Sequence, residues 1–523
     1  MSYQEATVAK ISDLENGGMK SAKVGETDVL LAKVDGKFYA LYGKCTHYGA
    51  SLADGVLNGR RLVCPWHHAC FDVKTGRHLE ACGIDGLPTY DLRIEGEDVI
   101  VRVPGDSPDR VPNILARPEP ANGKSYAIIG GGAAAAYAAE GMREAGFTGR
   151  IALINAEEEL PYDRPNCSKE YLQGEAPEAW MPLRPESFYK EHDITLLKGH
   201  RVNKVDTGGK KIHFEKGEPL AYDKLLIATG ATPRQLSVRG AGSSNVRTLR
   251  SLRDSRELRE LGRGADKVAI VGSSFIGLEC AMSLKHLDCE VTVVAPEEVP
   301  FARIWGKAVG QRIRKWHEEA GVQFRLGRKV KQIYTQGDVS TLELDDGSQL
   351  TANLVLAGIG VQPATGFLDS LETEQDGGIR VDEYLQAAPD IYAAGDIAHY
   401  PYRGEPARIE HWKVACQQGR VAGMNMAGAR LKYQAVPFFW SAQQDKVLGY
   451  VGHVKDYDET IVEGDLDGDS FLVHYVKDGA IRATLSLFRD AESCAIQELM
   501  HDGRMPTPEE VKKGVDWVRL LKG

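Results

Sequence analysis

The sequence predicts a multidomain fold in which an all-β domain comes first and two α/β domains follow it. Two patterns lead to this prediction. From about residue 5 to residue 104 the chain alternates between short apolar strands and glycine-containing turns, which is typical of an all-β domain. Beginning at Ser125, and again at Lys267, an apolar strand runs through a glycine-rich loop into a helical pattern. At 523 residues the chain is also too long for a single hydrophobic core.

The composition, 42% hydrophobic and 26% charged, is that of an ordinary globular protein. The formal net charge is -10 and lysines and arginines are not clustered, which argues against nucleic acid as a partner. Because no stretch is apolar enough for a membrane span and the N terminus lacks a targeting pattern, we expect a cytoplasmic protein. The nine scattered cysteines favour thiols and metal ligands in a reducing compartment over a disulfide framework.

Two short segments of the all-β domain, Cys45-Thr46-His47 and Cys64-Pro65-Trp66-His67, each place one cysteine shortly before one histidine. A zinc finger usually groups its cysteines and its histidines separately, so zinc and chance clustering are the weaker alternatives. The order fits a Rieske 2Fe-2S cluster, in which two cysteines bind one iron and two histidines bind the other. We therefore predict electron transfer, with Cys45, His47, Cys64 and His67 as metal ligands. His68 is expected next to these ligands or at the surface.

The first glycine-rich loop has the pattern of a dinucleotide-binding fingerprint, Gly130-x-Gly132-x-x-Ala135. Its first glycine permits a tight turn, its second allows close approach of a pyrophosphate, and its small third residue lets the helix pack on the strand. The N terminus of the helix then faces the phosphates. Glu157 follows the next strand and is suited to bind an adenosine ribose, with Glu158 and Glu159 as alternatives.

A second copy of the loop has Gly272, Ser274 and Gly277 at the three positions. Two loops predict two nucleotide cofactors. In the second copy Ala295 stands where an acidic residue usually reads the ribose hydroxyl, and Glu297 comes two residues later. No arginine cluster follows directly, and Arg303 is the nearest candidate for a 2′-phosphate. We therefore favour NADH and keep NADPH as an alternative.

Three further segments complete a recognisable set: Leu160-Pro-Tyr-Asp-Arg-Pro-Asn-Cys-Ser-Lys, Leu225-Leu-Ile-Ala-Thr-Gly-Ala-Thr-Pro and Ile391-Tyr-Ala-Ala-Gly-Asp-Ile-Ala. They resemble the flavoprotein reductases of the ferredoxin reductase and apoptosis-inducing-factor branch. With the cluster module in front, the whole chain resembles the apoptosis-inducing-factor-like Rieske reductases. The resemblance implies an N-terminal all-β Rieske domain, two Rossmann-like α/β dinucleotide-binding domains and a C-terminal α+β domain.

This resemblance implies that NADH reduces FAD, and that electrons pass through the chain's own 2Fe-2S cluster to an external acceptor such as an oxygenase or another redox protein. A homodimer is also compatible with it. The predicted domains are residues 1–104 (Rieske), 105–124 (linker), 125–247 with 361–430 (FAD), 248–360 (NAD(P)H) and 431–523 (C-terminal reductase domain). Because the linker is rich in proline, we expect it to tether the Rieske domain without tight docking, so that cutting it slows cluster reduction.

The same resemblance implies Lys169 and Glu279 as candidate catalytic residues, joined in an ion pair near the flavin. Aromatic residues of His411-Trp412 and Phe439-Trp440 are expected along the flavin edge, with ordinary core packing as the alternative. The cofactor-binding residues that it implies are Gly130, Gly132, Ala135, Glu157, Arg164, Lys169, Thr229, Gly230, Gly272, Ser274, Gly277, Glu279, Gly360, Asp396, Trp412 and Trp440.

The second ligand segment departs from the high-potential Rieske proteins of respiratory complexes. Where these carry a cysteine, a serine and a tyrosine, this chain has Trp66, Ala69 and Phe71, and Ala50 replaces the disulfide partner. Hydrogen bonds to the cluster sulfurs stabilise the reduced state, so their loss lowers the reduction potential. We therefore predict a low-potential, ferredoxin-like centre.

Two other functions are compatible with the sequence. Cys167 lies two residues before Lys169, where a thiolate beside cationic groups could attack a disulfide or peroxide. No second cysteine stands at the C-x4-C spacing of dithiol reductases. A slowly turning-over redox sensor, whose association state changes on reduction, is the other alternative.

Overall fold

The computed structural model describes residues 2–119 and 121–522, so residues 1, 120 and 523 of the predicted domains lie outside it. The chain divides into two compact units. The N-terminal unit consists of residues 2–115, 434–440 and 449–522, and the central unit consists of residues 116–433 and 441–448. The N-terminal unit thus joins the first and last predicted domains.

The N-terminal domain contains two antiparallel sheets, as its alternating sequence pattern predicts. The first has six strands, in the spatial order Tyr3–Lys10, Asp98–Pro104, Thr89–Glu95, Lys37–Tyr42, Thr27–Val34 and Met19–Val24. The second has four strands, in the order Val56–Asn58, Arg61–Val63, Cys70–Asp72 and His78–Glu80.

The strand Thr27–Val34 separates two apolar cores, because successive side chains of a strand point to opposite faces. Leu30 and Ala32 pack into the core that also contains Cys45 and Cys64. Val29 and Leu31 pack into the other core, with residues of the strand Asp98–Pro104. The two predicted ligand segments therefore lie over one defined apolar core.

The C-terminal domain is α+β, as the resemblance implied. Its five-stranded sheet has the order Phe438–Gln443, Lys446–Gly452, Ala480–Leu487, Phe471–Lys477 and Glu459–Gly464, and its helices are Asp490–His501, Pro508–Lys512 and Trp517–Lys522. Val56, Val63 and Cys70 of the Rieske domain share one buried core with Cys494 and Leu499 of this domain. The two domains are therefore joined by an apolar interface.

The central unit contains two sheets of the doubly wound type. The first has the order Ile194–Leu197, Arg150–Ile154, Ser125–Ile129, Lys224–Ile227, Ile391–Ala393 and Gln386–Ala388, with only its last strand antiparallel. The second is parallel throughout, in the order Val246–Arg247, Leu354–Ala357, Lys267–Val271, Glu290–Ala295 and Gln323–Leu326.

Smaller sheets and the helices complete the central unit. The small sheets contain the strands Val202–Asp206, Lys211–Phe214 and Leu220–Ala221; Ala231–Pro233 and Val361–Pro363; Val330–Gln336, Val339–Leu344 and Gln349–Ala352; and Ile379–Arg380, Ala398–Tyr402 and Glu405–Ala407. The α-helices are Ala133–Glu144, Glu170–Gln173, Glu186–Glu191, Leu252–Arg263, Phe275–His286, Lys307–Glu319 and Trp412–Met426. Among the residues described, no helix is both long enough and apolar enough to cross a membrane.

Glycines bring the helix Trp412–Met426 very close to the alanine-rich helix Ala133–Glu144. A β-carbon on Gly419 would lie 2.1 Å from the carbonyl oxygen of Ala134, and one on Gly423 would lie 2.2 Å from that of Ala138. These contacts leave no room for any larger residue. The small residues therefore fix the helix that begins at Trp412 against the first glycine-rich loop.

The predicted linker, residues 105–124, is hydrogen-bonded to each of the two units near its middle. In the N-terminal unit the side chain of Asn113 donates to the Ile84 carbonyl at 3.0 Å. In the central unit the Ala116 N–H donates to the Arg143 carbonyl at 2.9 Å. Each part of the described segment is therefore attached to the unit to which it belongs.

Candidate functional site

The two predicted ligand segments form loops of the same shape. In the first, the Cys45 N–H donates to the Ala50 carbonyl and the Gly49 N–H donates back to the Cys45 carbonyl. In the second, the Cys64 N–H donates to the Ala69 carbonyl and the His68 N–H donates back to the Cys64 carbonyl. The fifth residue of each loop is left-handed, with φ of 77° at Gly49 and 54° at His68. Each loop therefore presents its cysteine and histidine from a tight turn.

The loops bring the four predicted ligands together as two like pairs. The Nδ1 atoms of His47 and His67 lie 3.1 Å apart, and the thiols of Cys45 and Cys64 share a hydrogen bond. That bond and burial raise the pKa of Cys45 well above its usual range, whereas burial lowers the pKa of His47 to about 3. The histidine is therefore neutral, as a metal ligand must be.

This pairing fits a two-iron cluster better than a single ion. In a Rieske cluster each iron takes only two protein ligands, either two cysteines or two histidines. The donor set therefore fits the Rieske cluster rather than structural zinc.

The helix Asp490–His501 of the C-terminal domain holds the second ligand loop. The sequence does not reveal this contact. The thiol of Cys494 donates to the Cys64 carbonyl at 3.3 Å. The side-chain oxygen of Gln497 lies 2.9 Å from Nδ1 of His68, whose ring stacks on Phe438 with centroids 3.9 Å apart. His68 is thus buried between the domains rather than exposed, and these contacts hold it in its left-handed conformation.

The same helix carries a buried carboxylate that binds the neighbouring sheet. Glu498 is fully buried and accepts bonds from Nε and Nη2 of Arg61, at 2.6 and 3.0 Å. Arg61 also pairs with Glu80, and Asn58 donates to Glu498 at 3.1 Å. A buried charge is costly unless it is paired, so breaking these contacts would destabilise the protein. They therefore hold the Rieske domain and the C-terminal domain in one relative position.

Trp440 lies against a predicted cluster ligand within the N-terminal unit. Its ring centroid is 4.2 Å from that of His67 and 6.3 Å from that of His47. Tyr48 and Trp66 lie beside the same histidines and are 46% and 49% exposed. The aromatic residue expected along the flavin edge is therefore part of the surroundings of the cluster histidines.

In the central unit the first glycine-rich loop has the shape that a dinucleotide needs. Gly130 has a φ of 137°, and a β-carbon there would lie 2.1 Å from the Ala228 carbonyl oxygen. A β-carbon on Gly132 would meet nothing within 4 Å, so the start of the helix Ala133–Glu144 faces open space. Ala135 is fully buried against the sheet. This open helix N terminus fits the pyrophosphate of FAD.

Glu157 lies beside this loop and is held by two side chains. Its Oε2 accepts from the Tyr162 hydroxyl at 2.7 Å, and its Oε1 accepts from Arg164 at 2.8 Å. The alternatives are engaged elsewhere: Glu159 lies 3.6 Å from Arg256, and Glu158 adjoins Gly199. Glu157 is therefore the carboxylate that this network orients.

Asp396 and two residues that the sequence did not reveal lie together. Arg250 donates to Oδ2 of Asp396 at 3.0 Å, and Arg164 donates to the Arg250 carbonyl at 2.6 Å. The side-chain oxygen of Gln418 accepts from the N–H of Gly395, but its Nε2 is buried with no partner among the described residues. A buried donor of this kind is what a polar ligand would satisfy.

Other predicted flavin residues have structural contacts. The Thr229 hydroxyl donates to the Ala364 carbonyl at 2.8 Å, and the Gly230 carbonyl accepts from the Ala364 N–H. Trp412 is half-buried at the first position of its helix. Thr229 therefore helps to join the paired strands Ala231–Pro233 and Val361–Pro363.

The second glycine-rich loop repeats the geometry of the first. Gly272 has a φ of 114°, and a β-carbon there would lie 2.3 Å from the Gly358 carbonyl oxygen. Ser274 precedes the helix Phe275–His286 without capping it, and Gly277 lies close against Gly272. Gly360, with a φ of 96°, accepts from the Arg234 N–H. The loop thus fits a second dinucleotide.

The residues that would distinguish NADH from NADPH lie after the strand Glu290–Ala295. Ala295 is fully buried, so it presents no polar group to a ribose. Glu297 and Arg303 are both exposed, and Arg303 lies in a turn before the helix that begins at Lys307, not at a helix start. Neither side chain makes this choice on its own.

The predicted ion pair is present in the structure. Nζ of Lys169 lies 2.7 Å from Oε2 of Glu279, with the two side chains 11% and 4% exposed. The same oxygen accepts from the Ser168 hydroxyl at 2.6 Å, and the other carboxylate oxygen accepts from Ser441 at 2.8 Å. Ser168 and Ser441 are two contacts that sequence reasoning missed.

Cys167 does not have the environment of a reactive thiol. It is 2% exposed, and burial raises its pKa to about 12 despite the nearby Arg164. Cys280 is also fully buried. Because the thiolate is the nucleophilic form, this environment disfavours the disulfide or peroxide chemistry considered above.

Comparison with known proteins matches three families along the chain. Residues 124–419 match the pyridine nucleotide-disulphide oxidoreductases, residues 4–91 the Rieske [2Fe-2S] domain, and residues 438–517 the reductase C-terminal domain.

Individual proteins are similar to this chain over much of its length. Apoptosis-inducing factor 3 of Mus musculus is 36% identical over 97% of this chain and 86% of its own length. The ferredoxin–NAD(+) reductase component of the p-cumate 2,3-dioxygenase system of Pseudomonas putida is 37% identical over 66% of this chain and 85% of its own length. The crystal structure of the covalent putidaredoxin reductase–putidaredoxin complex matches with a TM-score of 0.72 and 29% identity. The match covers 76% of this chain and 98% of the chain in that structure.

Proposed function

Because the chain belongs to the pyridine nucleotide-disulphide oxidoreductase family and carries a Rieske domain in front, we propose that it supplies electrons from NADH to an external redox protein. It is an NAD(P)H-dependent FAD oxidoreductase with its own 2Fe-2S cluster. One observation carries the proposal: a single chain holds two dinucleotide loops, the buried Lys169–Glu279 pair and the paired cysteines and histidines.

The central unit provides the residues that would hold FAD. The helix N terminus after Gly132 would hold the pyrophosphate, Glu157 would hold the adenosine ribose, and Asp396 with Arg250 would hold the remaining phosphate and ribityl side. When bound, the flavin accepts two electrons as hydride and releases them singly to a one-electron carrier. Lys169, held by Glu279, would place a positive charge near the flavin, where negative charge accumulates on reduction.

The N-terminal unit provides the residues that would hold the cluster. Cys45 and Cys64 would supply thiolates for one iron, while His47 and His67 would supply neutral imidazoles for the other. The Trp440 ring lies on His67, and the helix Asp490–His501 contacts the Cys64 carbonyl, so protein covers two sides of the second loop. Burial of this kind is one of the factors that set a cluster's potential.

The acceptor we propose is a soluble redox protein such as a terminal oxygenase. Support comes from the similar reductase of a dioxygenase system and from the similar reductase that forms a complex with putidaredoxin. A cytoplasmic setting is proposed as well, because all nine cysteines are described and no disulfide joins any of them.

The first test is an anaerobic titration of the full-length holoprotein with NADH, following flavin absorbance and the EPR signal of a reduced Rieske cluster together. We expect flavin bleaching followed by the cluster signal. A flavin that remains in a long-lived nicotinamide complex while the cluster stays silent contradicts the proposal and favours a redox sensor.

A matched control uses the ligand pairs. His67→Ala removes a predicted iron ligand, so the EPR signal should disappear while NADH still bleaches the flavin. Trp66→Phe, at the neighbouring exposed position, should keep both signals.

A further inference from the structure

The Lys169–Glu279 pair stands at one end of a buried chain of hydrogen bonds in the central unit. The Ser441 hydroxyl donates to Oε1 of Glu279 at 2.8 Å. Nε2 of Gln443 donates to the Ser441 hydroxyl at 2.8 Å, and Nε2 of His317 lies 2.8 Å from Oε1 of Gln443. The chain therefore extends from the candidate catalytic pair to the helix Lys307–Glu319.

The direction of these bonds is set by the carboxylate. Because an ionised carboxylate only accepts, Ser441 must donate its single hydroxyl proton to Glu279. The Ser441 oxygen then accepts from the amide of Gln443, which leaves the Gln443 carbonyl to accept from His317. One arrangement of protons satisfies all three bonds, with the His317 proton on Nε2.

Every member is removed from solvent. Ser441 and Gln443 are 0% exposed, His317 is 1% exposed and Glu279 is 4% exposed. Hydrogen bonds in such low-dielectric surroundings polarise one another, and breaking one leaves a buried polar group unsatisfied. We therefore expect a substitution at one member of this hydrogen-bond chain to affect the other members as well.

His317 is suited to end the chain as a neutral ring. Burial lowers its pKa to about 4, although the bond to Gln443 opposes this shift. Its Nδ1 atom is buried without a hydrogen-bond partner among the described residues. The ring thus carries one proton at neutral pH, and that proton is committed to Gln443.

The residues of this hydrogen-bond chain come from three separate parts of the polypeptide. Glu279 lies in the helix Phe275–His286, His317 lies in the helix Lys307–Glu319, and Ser441 and Gln443 lie in the segment 441–448 of the central unit. No local sequence motif brings them together.

We propose that Ser441, Gln443 and His317 are positioning residues that hold the Glu279 carboxylate in the orientation that pairs with Lys169. This inference rests on the proposed NADH oxidation at the same site. By fixing one carboxylate oxygen on Ser441, the chain leaves the other oxygen for Lys169 and Ser168. The Lys169 ammonium group is therefore already in position when hydride is transferred.

Stopped-flow reduction of the flavin by NADH tests the kinetic part, using holoprotein with Ser441→Ala, Gln443→Leu and both together. Each single change should slow the limiting rate about tenfold, with the NADH dissociation constant unchanged. Because all three residues act through one chain, the double variant should be no slower than the slower single variant. The control is Gln444→Asn, at an exposed neighbouring position whose φ of 66° asparagine tolerates.

Rates in both single variants equal to the control overturn the proposal, and so do effects that multiply in the double variant. A merely structural role would lower the thermal midpoint of the variants without this pattern in the limiting rate.

A second readout does not depend on turnover. In oxidised holoprotein labelled with ¹⁵N-histidine, the His317 ring, assigned by its loss in His317→Gln, should be the Nε2–H tautomer. Glu279→Gln should shift its ring signals although no direct contact joins the two residues; unchanged signals overturn the inference. If NADH fails to reduce the wild-type flavin, the proposed function fails while this spectrum still tests the chain.

Discussion

Cys167 illustrates at the residue scale how position in the sequence and chemical environment differ. The residue stands two positions before Lys169, but it is 2% exposed, and burial raises its pKa to about 12. The thiol is therefore protonated at neutral pH and is a poor nucleophile.

We expect Cys167→Ser to retain the full rate of NADH-driven electron transfer to an artificial acceptor. Lys169→Ala, two residues away, should slow the same reaction at least about tenfold because it removes the cation paired with Glu279. Loss of activity in Cys167→Ser alone would return thiol chemistry to consideration.

Ala69 makes the predicted low potential testable. It is fully buried directly after the second ligand loop, at the position where high-potential relatives carry a serine. A hydroxyl donor there should stabilise the more negative reduced cluster.

Ala69→Ser is therefore expected to raise the midpoint potential of the cluster, measured by EPR-monitored redox titration. Ala69→Gly changes the volume without adding a donor and serves as the control. A serine variant with an unchanged or lowered potential contradicts the argument.

At the element scale, the second ligand loop depends on the helix Asp490–His501. His68 takes a left-handed conformation that Gly49 adopts without cost in the first loop. The bond to Gln497 and the stacking on Phe438 hold His68 there. An element from the far end of the chain thus supports a local turn.

Gln497→Leu removes the acceptor for the buried His68 ring and should cost about 1–3 kcal/mol of stability. The measurement is urea denaturation followed by the visible circular dichroism of the cluster. In a His68→Gly background the same change should cost much less, because the buried donor is gone and glycine accepts the conformation. Equal costs in both backgrounds would show that the His68–Gln497 contact is unimportant.

At the scale of the whole molecule, the Rieske domain and the C-terminal domain form one compact unit. They share a buried core and the Arg61–Glu498 ion pair. The composition of the proline-rich segment predicts a tether and does not report this interface, so cutting the segment has a different expected result if the interface holds the Rieske domain.

A protease site inserted between Leu115 and Ala116 tests this difference. After cleavage we expect the Rieske fragment to co-elute with the remainder of the chain in size exclusion, and NADH to reduce the cluster as fast as before. Dissociation of the fragments, or slower cluster reduction, would restore the tether interpretation. An insertion at Gly208, an exposed position in the central unit, controls for the effect of cleavage itself.

The sequence by itself determined the domain types, the two glycine-rich loops and the four candidate ligands. These features are local, because a glycine in a tight turn, or a cysteine two or three residues before a histidine, can be read from neighbouring residues in the chain. The Lys169–Glu279 pair came from resemblance, and the structure contains it.

Only the tertiary structure decided that Gln497 supports His68, that Trp440 lies on His67, and that His317 connects through Gln443 and Ser441 to Glu279. Each of these contacts joins residues from separate elements, and no periodicity or spacing encodes such a pairing. The packing of the helices and sheets selects it, because a buried polar group is stable only where the fold brings it a partner.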